Sequence, residues 1–268
     1  MKKLIILLLL ITNLFSLELS DFLNKNNCGA NNKIIDKQIY KICYDIKMKG
    51  PKFVGYELKG EYVDKGNYKK RPPFYTEKNL KKSERTTNGD FKWTFLDKGH
   101  MANHANWDFD KNQKTVRKTY SLANITPQYP NVNRRLWLKA ENAERSHAKR
   151  LGTVNVMNIA EYEDTNRIMK RVPLEEAIKI SKEKAKKRHK KWREWSKKTK
   201  RKYLKNAKRT LEKRIVIPTK YYKIIWNDKE NFMKCYMYKN EKGLKTKGDK
   251  LKYHITSCKK ILKKYEIE

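Results

Sequence analysis

The spacing of apolar and polar residues along the chain predicts β-strands in four segments. Aromatic and β-branched residues on both sides of Gly50 and Pro51 predict a β-hairpin within residues 38–63. Alternation over residues 91–96 predicts another strand, followed by a sharp turn, so that His100 lies at or just past a strand end. Two further strands are predicted in apolar runs at residues 153–162 and 214–226, the second interrupted by a proline.

Helical spacing appears between two of these strands. Apolar residues recur at helical intervals at Leu136, Ala140 and Ala143. Asn131 or Asn133 is a suitable N-cap, and Gly152 supplies the end of the helix. The earlier stretch over residues 64–90 is polar and basic with two adjacent prolines, so we expect a long surface loop there.

The segment from Leu174 to Arg214 is predicted to be helical because it contains neither Gly nor Pro, and Pro173 suits the first helical position. Its large apolar residues recur near one helix face, which we expect to pack on the body of the protein: Trp192, Trp195, Tyr203 and Leu211. We therefore predict a helical insertion at about residues 164–214.

Charge sets this insertion apart from the rest of the chain. Residues 182–214 contain 18 Lys or Arg and three Glu. Such a run is either a solvated helix surface or a nucleic-acid contact. The contact is the favoured interpretation, because neighbouring like charges oppose helix formation unless a polyanion relieves them.

The whole chain is also strongly basic. It has 268 residues, a formal net charge of +37 and 38% hydrophobic residues, enough to form a core. A charge of this size repels itself and indicates a polyanionic partner. Nucleic acid is the first candidate, and an anionic membrane surface is the second.

The first 16 residues have the pattern of a secretory signal peptide, with two lysines followed by an apolar run from Leu4 to Ile11. The alternative, a membrane anchor, needs about 20 apolar residues. We therefore expect an exported protein without stable membrane insertion, beginning near Leu17 and located in the periplasm or outside the cell. Oligomeric state is left open.

Export would place the four cysteines where disulfides persist. Four cysteines allow three pairings. The local pairs, Cys28 with Cys43 and Cys235 with Cys258, are favoured because short loops close at the least entropic cost. No CxxC motif is present, which argues against a thiolate zinc site.

His100 has three possible roles. It and His104 are four residues apart, but the segment lacks the glutamate of an HExxH zinc site. A histidine paired with a Ser or Cys nucleophile would need an elbow motif such as GxSxG, which is absent. The third role is a general base that activates water while a hard cation handles phosphate charge.

Three motifs together resemble the DNA/RNA non-specific endonuclease family. They are DKGH at residues 97–100, LANITPQ at 122–128 and NRRLWLKAENAER at 133–145. The resemblance implies an α+β fold, with an antiparallel β-sheet core and an embedded ββα-metal finger. It covers roughly residues 36–230 of a domain expected to span 17–268, and leaves the basic insertion and a Cys-containing C-terminal extension outside the family pattern.

The resemblance also implies roles for individual residues. His100 would be the general base, and Asn133 would hold Mg²⁺, with Mn²⁺ as a substitute. Glu141 and Arg145 reproduce the family's spacing of eight and four after Asn133. Asn124, in the NITPQ motif, would support the site. Cleavage by this chemistry leaves a 5′-phosphate.

Glu141 and Arg145 admit a more detailed interpretation. If Asn133 and Glu141 share a helix, their backbones are roughly 12 Å apart, which strains direct ligation of one ion by both. A contact through water, or an i,i+4 interaction that orients Arg145, is more consistent, and a simple surface ion pair is the alternative. The Arg145 guanidinium can grip two phosphate oxygens.

Lys98 is the departure from the family, because it replaces the arginine of DRGH. It keeps the charge but loses the fork that grips two oxygens. Lys98 and Arg71, from the 64–90 loop, are the further candidate phosphate-binding residues. Asp97 is expected to be a structural acid at the strand end.

Two classes of function follow. The first is a Mg²⁺-dependent nuclease acting on DNA, and on RNA as well. The second is a non-catalytic cationic protein that binds nucleic acid or the cell envelope. The charge and the insertion fit both, whereas the three motifs fit only the nuclease.

Overall fold

A six-stranded antiparallel sheet forms the centre of the protein. The computed structural model describes residues 17–66, 71–212 and 214–267, without the side chains of 209–212, so the predicted signal peptide lies outside the described residues. Eight strands occur in these ranges: β1 (Lys33–Asp36), β2 (Lys41–Asp45), β3 (Gly50–Lys59), β4 (Asp97–His100), β5 (Ile125–Gln128), β6 (Thr153–Glu161), β7 (Lys220–Asn227) and β8 (Phe232–Lys239).

The main sheet has the order β1-β2-β3-β6-β7-β8, and every neighbouring pair is antiparallel. The predicted hairpin is confirmed as β2 and β3. Its turn precedes Gly50 and Pro51, which are the first two residues of β3. Lys49 supplies the left-handed backbone of the turn (φ 57°), and the Asp45 carboxylate accepts a hydrogen bond from the Met48 amide (2.9 Å).

The helices of two or more turns lie in the second half of the chain. In chain order the α-helices are α1 (Leu19–Phe22), α2 (Lys25–Cys28), α3 (Lys114–Lys118), α4 (Trp137–Leu151), α5 (Leu174–Lys187), α6 (Lys197–Glu212) and α7 (Cys258–Lys264). A π-helical turn, Val132–Leu136, precedes α4, and Gly152 ends α4 at φ 76°, as glycine allows.

The two faces of the main sheet are covered by different elements. Helix α4 packs on one face through buried residues that include Trp137 and Ala140. On the other face, Phe22 from α1 and Ile261 from α7 join a second core around Phe53 and Trp226. The central strands are buried on both sides, which explains their continuous apolar sequence.

Strands β4 and β5 pair with each other in a separate antiparallel sheet and lead into α4, which completes a ββα unit. The predicted strand over residues 91–96 is displaced toward the C-terminus. Residues 91–94 form turns, with Trp93 and Phe95 at φ 67° and 57°, and the strand begins at Asp97. His100 is its last residue, as predicted.

The basic segment forms two helices, α5 and α6, so the expectation of one uninterrupted helical face is corrected. The chain leaves α5 at Arg188, and His189 has a left-handed backbone (φ 51°). Trp192 and Trp195 therefore lie between the helices. Tyr203 of α6 is buried against Trp93 and Trp195, whereas the side chain of Leu211 lies outside the described residues.

The cysteine-containing C-terminal extension is part of the main fold, because β8 is the edge strand of the main sheet. Cys235 on β8 is bonded to Cys258 at the start of α7, and Cys28 is bonded to Cys43. Both predicted disulfides are confirmed, and both belong to the core that lies on the sheet face away from α4. Among the described residues, no helix is long and apolar enough to cross a membrane.

Candidate active site

The ββα unit forms one wall of a cleft of about 1120 Å³. Five of the seven predicted site residues line it: Arg71, Lys98, His100, Asn133 and Glu141. The remaining two do not line it: Asn124 holds the backbone that follows His100, and Arg145 is close enough to His104 and Glu141 to affect their pKa values. Residues as far apart in the chain as Arg71 and Glu141 therefore converge on one place.

His100 is held at this wall by the pairing of β4 with β5, in which it faces Ile125. Gly99 allows the close approach, because a side chain there would overlap that of Gln128. Aromatic rings surround the imidazole, with centroids 5.3 Å away at Phe74 and 5.1 Å at Tyr120.

Burial lowers the pKa of His100 well below its ordinary value, and the neighbouring His104 and Arg71 lower it further. Its Nε2 atom is buried and has no hydrogen-bond partner among the described residues. The imidazole is thus neutral at ordinary pH, which is the form a general base requires.

Asn124 holds the backbone that follows His100. It is fully buried, and its side chain accepts a hydrogen bond from the Ala102 amide (2.8 Å) and donates to the carbonyls of Ala102 and Thr119 (both 2.9 Å). Its own carbonyl accepts from the Met101 amide at 3.0 Å. The chain leaving β4 is therefore fixed by one side chain from the turn before β5.

Asp97 orients Asn133. The amide nitrogen of Asn133 donates to one carboxylate oxygen of Asp97 at 3.0 Å, and the Arg134 guanidinium grips both oxygens at 2.7 and 2.6 Å. Because the side-chain nitrogen of Asn133 donates to Asp97, its side-chain oxygen is the atom that remains to bind a metal ion. Asp97 is the positioning residue that the sequence alone did not assign to the site.

Two cations face the same space. The Lys98 ammonium donates to the Asn88 side-chain oxygen at 2.6 Å and lies 4.7 Å from the centre of the Phe74 ring. Burial lowers the pKa of Lys98. Arg71 lines the cleft and is close enough to depress the pKa of both His100 and His104. Together they create a positive potential suited to phosphate oxygens.

Glu141 is buried at the cleft wall, 8% exposed. Burial raises its pKa to about 8; Glu144 acts in the same direction, whereas Lys223 and Arg145 oppose the rise. Among the described residues the Glu141 carboxylate has no ion-pair partner. The free protein therefore carries a largely protonated acid at this position near neutral pH.

Arg145 donates to the side-chain oxygens of Asn106, at 3.4 Å, and Asn142. In the described part of the chain Arg145 forms no ion pair with Glu141, which was the alternative interpretation of their i,i+4 spacing. Asn106 in turn donates to Glu144 at 2.7 Å, and Glu144 is ion-paired with Lys223 in the fully buried core. Arg145 is thus attached to a polar network that extends down to the sheet.

Several cleft residues were not expected from the sequence. The His104 ring lies 5.4 Å from that of His100, and burial lowers its pKa to about 4. Arg134 follows Asn133 directly, but only the structure shows that it grips Asp97. The aromatic residues Phe74 and Tyr120 had no motif to mark them.

The donor atoms of the cleft fit a hard divalent cation. No group of three or more His, Cys, Asp or Glu suited to a metal occurs within the described part of the chain. The cleft instead offers the Asn133 oxygen and the nearby Glu141 carboxyl. Mg²⁺ is commonly held by one or two protein oxygens, with water and substrate phosphate completing its coordination.

Comparisons with known proteins agree with this geometry. The family model for DNA/RNA non-specific endonucleases matches residues 20–264. The chain belongs to the DNA/RNA non-specific endonuclease family. The match includes most of the C-terminal extension and the whole basic segment, both of which we had expected to lie outside the family pattern.

Individual relatives are similar over a shorter stretch. Mitochondrial endonuclease G from Homo sapiens is 29% identical over 110 residues, which is 41% of this chain and 36% of that protein. Its counterpart from Bos taurus is 30% identical over 107 residues, covering 40% and 35%. The matched region thus spans about a third of these relatives.

A solved structure shows the shared fold. The crystal structure of the EndoG/EndoGI complex aligns with a TM-score of 0.59 over 87% of this chain and 83% of that one, at 18% sequence identity. The α+β fold predicted from the motifs, with its antiparallel sheet and ββα unit, is therefore confirmed.

Proposed function

We propose that this protein is a Mg²⁺-dependent endonuclease that hydrolyses phosphodiester bonds in DNA and RNA without sequence preference. The observation that carries the proposal is the convergence of a buried, neutral His100 and the oriented Asn133 oxygen in one cationic cleft. Backbone phosphates carry no sequence information, so a cleft built for them fits low specificity.

In the proposed reaction His100 removes a proton from the attacking water, and Arg71 and Lys98 offset the negative charge of the phosphate. Asn133 would hold Mg²⁺ or Mn²⁺ through its side-chain oxygen. When bound, the cation supplies positive charge next to the scissile phosphate and a water able to protonate the departing 3′ oxygen. Arg145 and Asn124 keep the surrounding walls in place. The phosphate then stays on the 5′ end.

A plasmid-nicking assay tests this proposal. The purified protein should nick plasmid with Mg²⁺, stop when a chelator is added, and lose at least about a hundredfold in rate as His100→Ala. His147→Ala is the matched control, because His147 is also a histidine with a lowered pKa but lies outside the cleft. Products with 5′-phosphates should be rejoined by DNA ligase.

Cleavage that survives both the chelator and His100→Ala would contradict the proposed chemistry. The net charge and the basic segment also favour a second candidate, a non-catalytic binder of nucleic acid. A gel shift without cleavage across several divalent cations would support that candidate instead.

We further propose that the protein is exported to the periplasm or beyond. The two disulfides support this proposal, because such bonds persist in oxidising compartments. Cell fractionation and N-terminal sequencing test it. A cytoplasmic protein that still begins at Met1 would contradict it.

A further inference from the structure

The two basic helices and the segment between them present an exposed cationic surface, here called the basic surface (residues 182–208). Every Lys and Arg in it except Lys200 is exposed. None of the ion pairs found in the described part of the chain includes a residue of this surface. Its charge is thus available to an external partner.

The basic surface is fastened to the loop that lines the cleft. Arg171, just before α5, donates to the carbonyls of Lys92 at 2.7 Å and Gly89 at 2.6 Å. Trp93 contacts Trp195, with ring centroids 4.8 Å apart, and its ring lies 5.7 Å from that of Tyr203 on α6. Because Gly89 and Lys92 belong to the cleft wall, these contacts place the basic surface beside the cleft.

Charge continues from the basic surface to the cleft. The Lys184 ammonium lies 4.7 Å from the centre of the Phe95 ring, immediately before the cleft residue Leu96. Burial lowers the pKa of Lys184, and the nearby Arg134 guanidinium, itself in the cleft wall, lowers it further. Lys184 therefore lies between the basic surface and the cleft, so that positive charge is continuous from one to the other.

The arrangement of α6 favours a polyanion in solution over a lipid surface. Helices that lie on membranes expose an apolar face to the lipid. On α6, Tyr203 points inward and is 2% exposed, whereas Lys197, Arg201, Lys205 and Lys208 follow spacings of four, four and three on the opposite side. Among the described side chains of α6, Leu204 (52% exposed) is the one large apolar residue that is exposed. It stands alone among these charges, so the outward face lacks the continuous apolar stripe that a lipid surface would require.

We propose that the basic surface is a second nucleic-acid contact, which holds the phosphate backbone of a long substrate while the cleft acts on a neighbouring bond. This inference rests on the proposed nuclease function. It predicts that affinity and turnover depend on substrate length beyond what the cleft can hold.

The test compares two variants with the same loss of charge. One carries Lys197→Gln, Arg201→Gln, Lys205→Gln and Lys208→Gln on α6. The control carries Lys25→Gln, Lys259→Gln, Lys260→Gln and Lys263→Gln, exposed positions on α2 and α7 at the sheet face away from α4. Glutamine is a good helix former, so both should fold, and thermal unfolding checks this.

Binding is measured in the His100→Ala background, so that it does not require cleavage. With a DNA duplex of about 40 base pairs, the α6 variant should bind at least about tenfold more weakly than the control, with a salt slope smaller by about 3 to 4. In the active protein its kcat/KM should fall on the long duplex but stay unchanged on a substrate of about four nucleotides, which spans about 14 Å.

Equal affinities of the two variants for the long duplex would overturn the inference. So would an equal loss of kcat/KM on long and short substrates, because the segment would then only support the cleft. Vesicles of anionic phospholipid form a third arm, and selective loss of vesicle binding with unchanged DNA binding would also overturn it. Failure of the parent protein to cleave any substrate would contradict the proposed function, while length-dependent binding could still be measured.

Discussion

The Asn133 side chain takes its orientation from the Asp97 carboxylate, which accepts from it and is gripped by Arg134. Both oxygens of Asp97 are used in these contacts. Asp97 therefore acts as a positioning residue, even though it stands in the same tetrapeptide as the proposed base.

Replacement of Asp97 by Asn should raise the Mg²⁺ concentration for half-maximal cleavage by about tenfold or more, because groups that orient metal ligands are typically worth 10–100-fold in metal affinity or activity. Asp64→Asn is the control, since Asp64 pairs with Lys149 at an exposed position. An unchanged Mg²⁺ requirement in a folded Asp97→Asn protein would contradict this role.

The buried carboxyl of Glu141 should make the folding stability of the metal-free protein depend on pH. Its pKa is about 8 when folded and near 4.5 in an unfolded chain, so folding takes up a proton between these values. Stability should therefore fall as pH rises through this window. Relative to Glu141→Gln, the wild type should lose on the order of a few kcal/mol between pH 5 and pH 9.

Chemical denaturation in the presence of a chelator measures this difference. Glu57→Gln, which removes an exposed carboxylate, is the control for the loss of one carboxyl group. A stability difference between wild type and Glu141→Gln that does not change with pH would contradict the raised pKa of Glu141.

At the residue scale, the sequence alone was sufficient to predict that His100, Asn133 and Glu141 lie close together. A strand, a loop and a helix in that order form a compact unit, and the motif spacing selects residues on its inner side. The role of Asp97 could not be predicted, because it depends on the π-helical turn that brings Asn133 and Arg134 back toward β4. No periodic pattern in the sequence indicates such a turn.

At the scale of elements, α4 is joined to the main sheet by an ion pair as well as by apolar packing. Glu144 and Lys223 are both fully buried, and Glu144 also accepts hydrogen bonds from Tyr56 at 2.9 Å and Asn106 at 2.7 Å. Because the Asn106 side chain also accepts a hydrogen bond from Arg145, this network links the main sheet to the edge of the cleft.

Glu144→Gln should destabilise the protein by about 3–5 kcal/mol, because it leaves the Lys223 ammonium buried without a counter-charge. The double variant Glu144→Gln with Lys223→Met should recover much of this loss, since the uncompensated charge is then removed. Denaturant unfolding of the three proteins gives the values. Equal destabilisation of the single and double variants would mean that the charge itself does not cause the effect.

The helix prediction for the basic segment was correct in type but wrong in continuity. Nothing in the local sequence, which lacks Gly and Pro, marks the break after α5. The break is explained by tertiary packing, because Trp195 leaves the helical path to join Trp93 and Tyr203. Contacts between residues a hundred positions apart are beyond a single-sequence pattern.

Trp195→Ala should therefore loosen α6 without unfolding the sheet. Trypsin should cut within residues 182–208 several times faster than in the wild type, because nearly all of the lysines and arginines there are already exposed and local opening frees the backbone around them for the protease. Trp192→Ala is the control, since Trp192 has no ring contact among the described residues. Equal cleavage rates for the two variants would contradict the role of the aromatic cluster.

At the scale of the whole molecule, the main sheet separates the stabilising disulfides from the cleft, which lie on opposite faces of it. Its face away from α4 carries both disulfides, which tie the terminal helices α2 and α7 to β2 and β8. Its other face carries α4 and the cleft. The sequence predicted the disulfides from loop length alone. It placed the C-terminal extension within the same domain but outside the family pattern, because a strongly basic composition hid the alternation of β8.

The pairing of Asp97 with Arg134 has one more consequence. With Asp97 neutralised in this way, a divalent cation entering the cleft would meet the neutral Asn133 amide, a Glu141 that burial keeps mostly protonated, and the cations Arg71 and Lys98. A cation bound there would draw its negative charge from the nucleic acid of the proposed reaction and from ionisation of Glu141. Metal and substrate should therefore act as reciprocal effectors, each binding more tightly in the presence of the other.

Calorimetry on the His100→Ala protein measures this coupling directly. Saturation with an oligonucleotide should tighten Mg²⁺ binding by about 5–150-fold, the usual range of coupling between two sites. Equal Mg²⁺ affinity with and without the oligonucleotide would contradict it. A site coupled in this way would bind metal most tightly once the nucleic acid is in place, so that the substrate helps to assemble the catalyst that cleaves it.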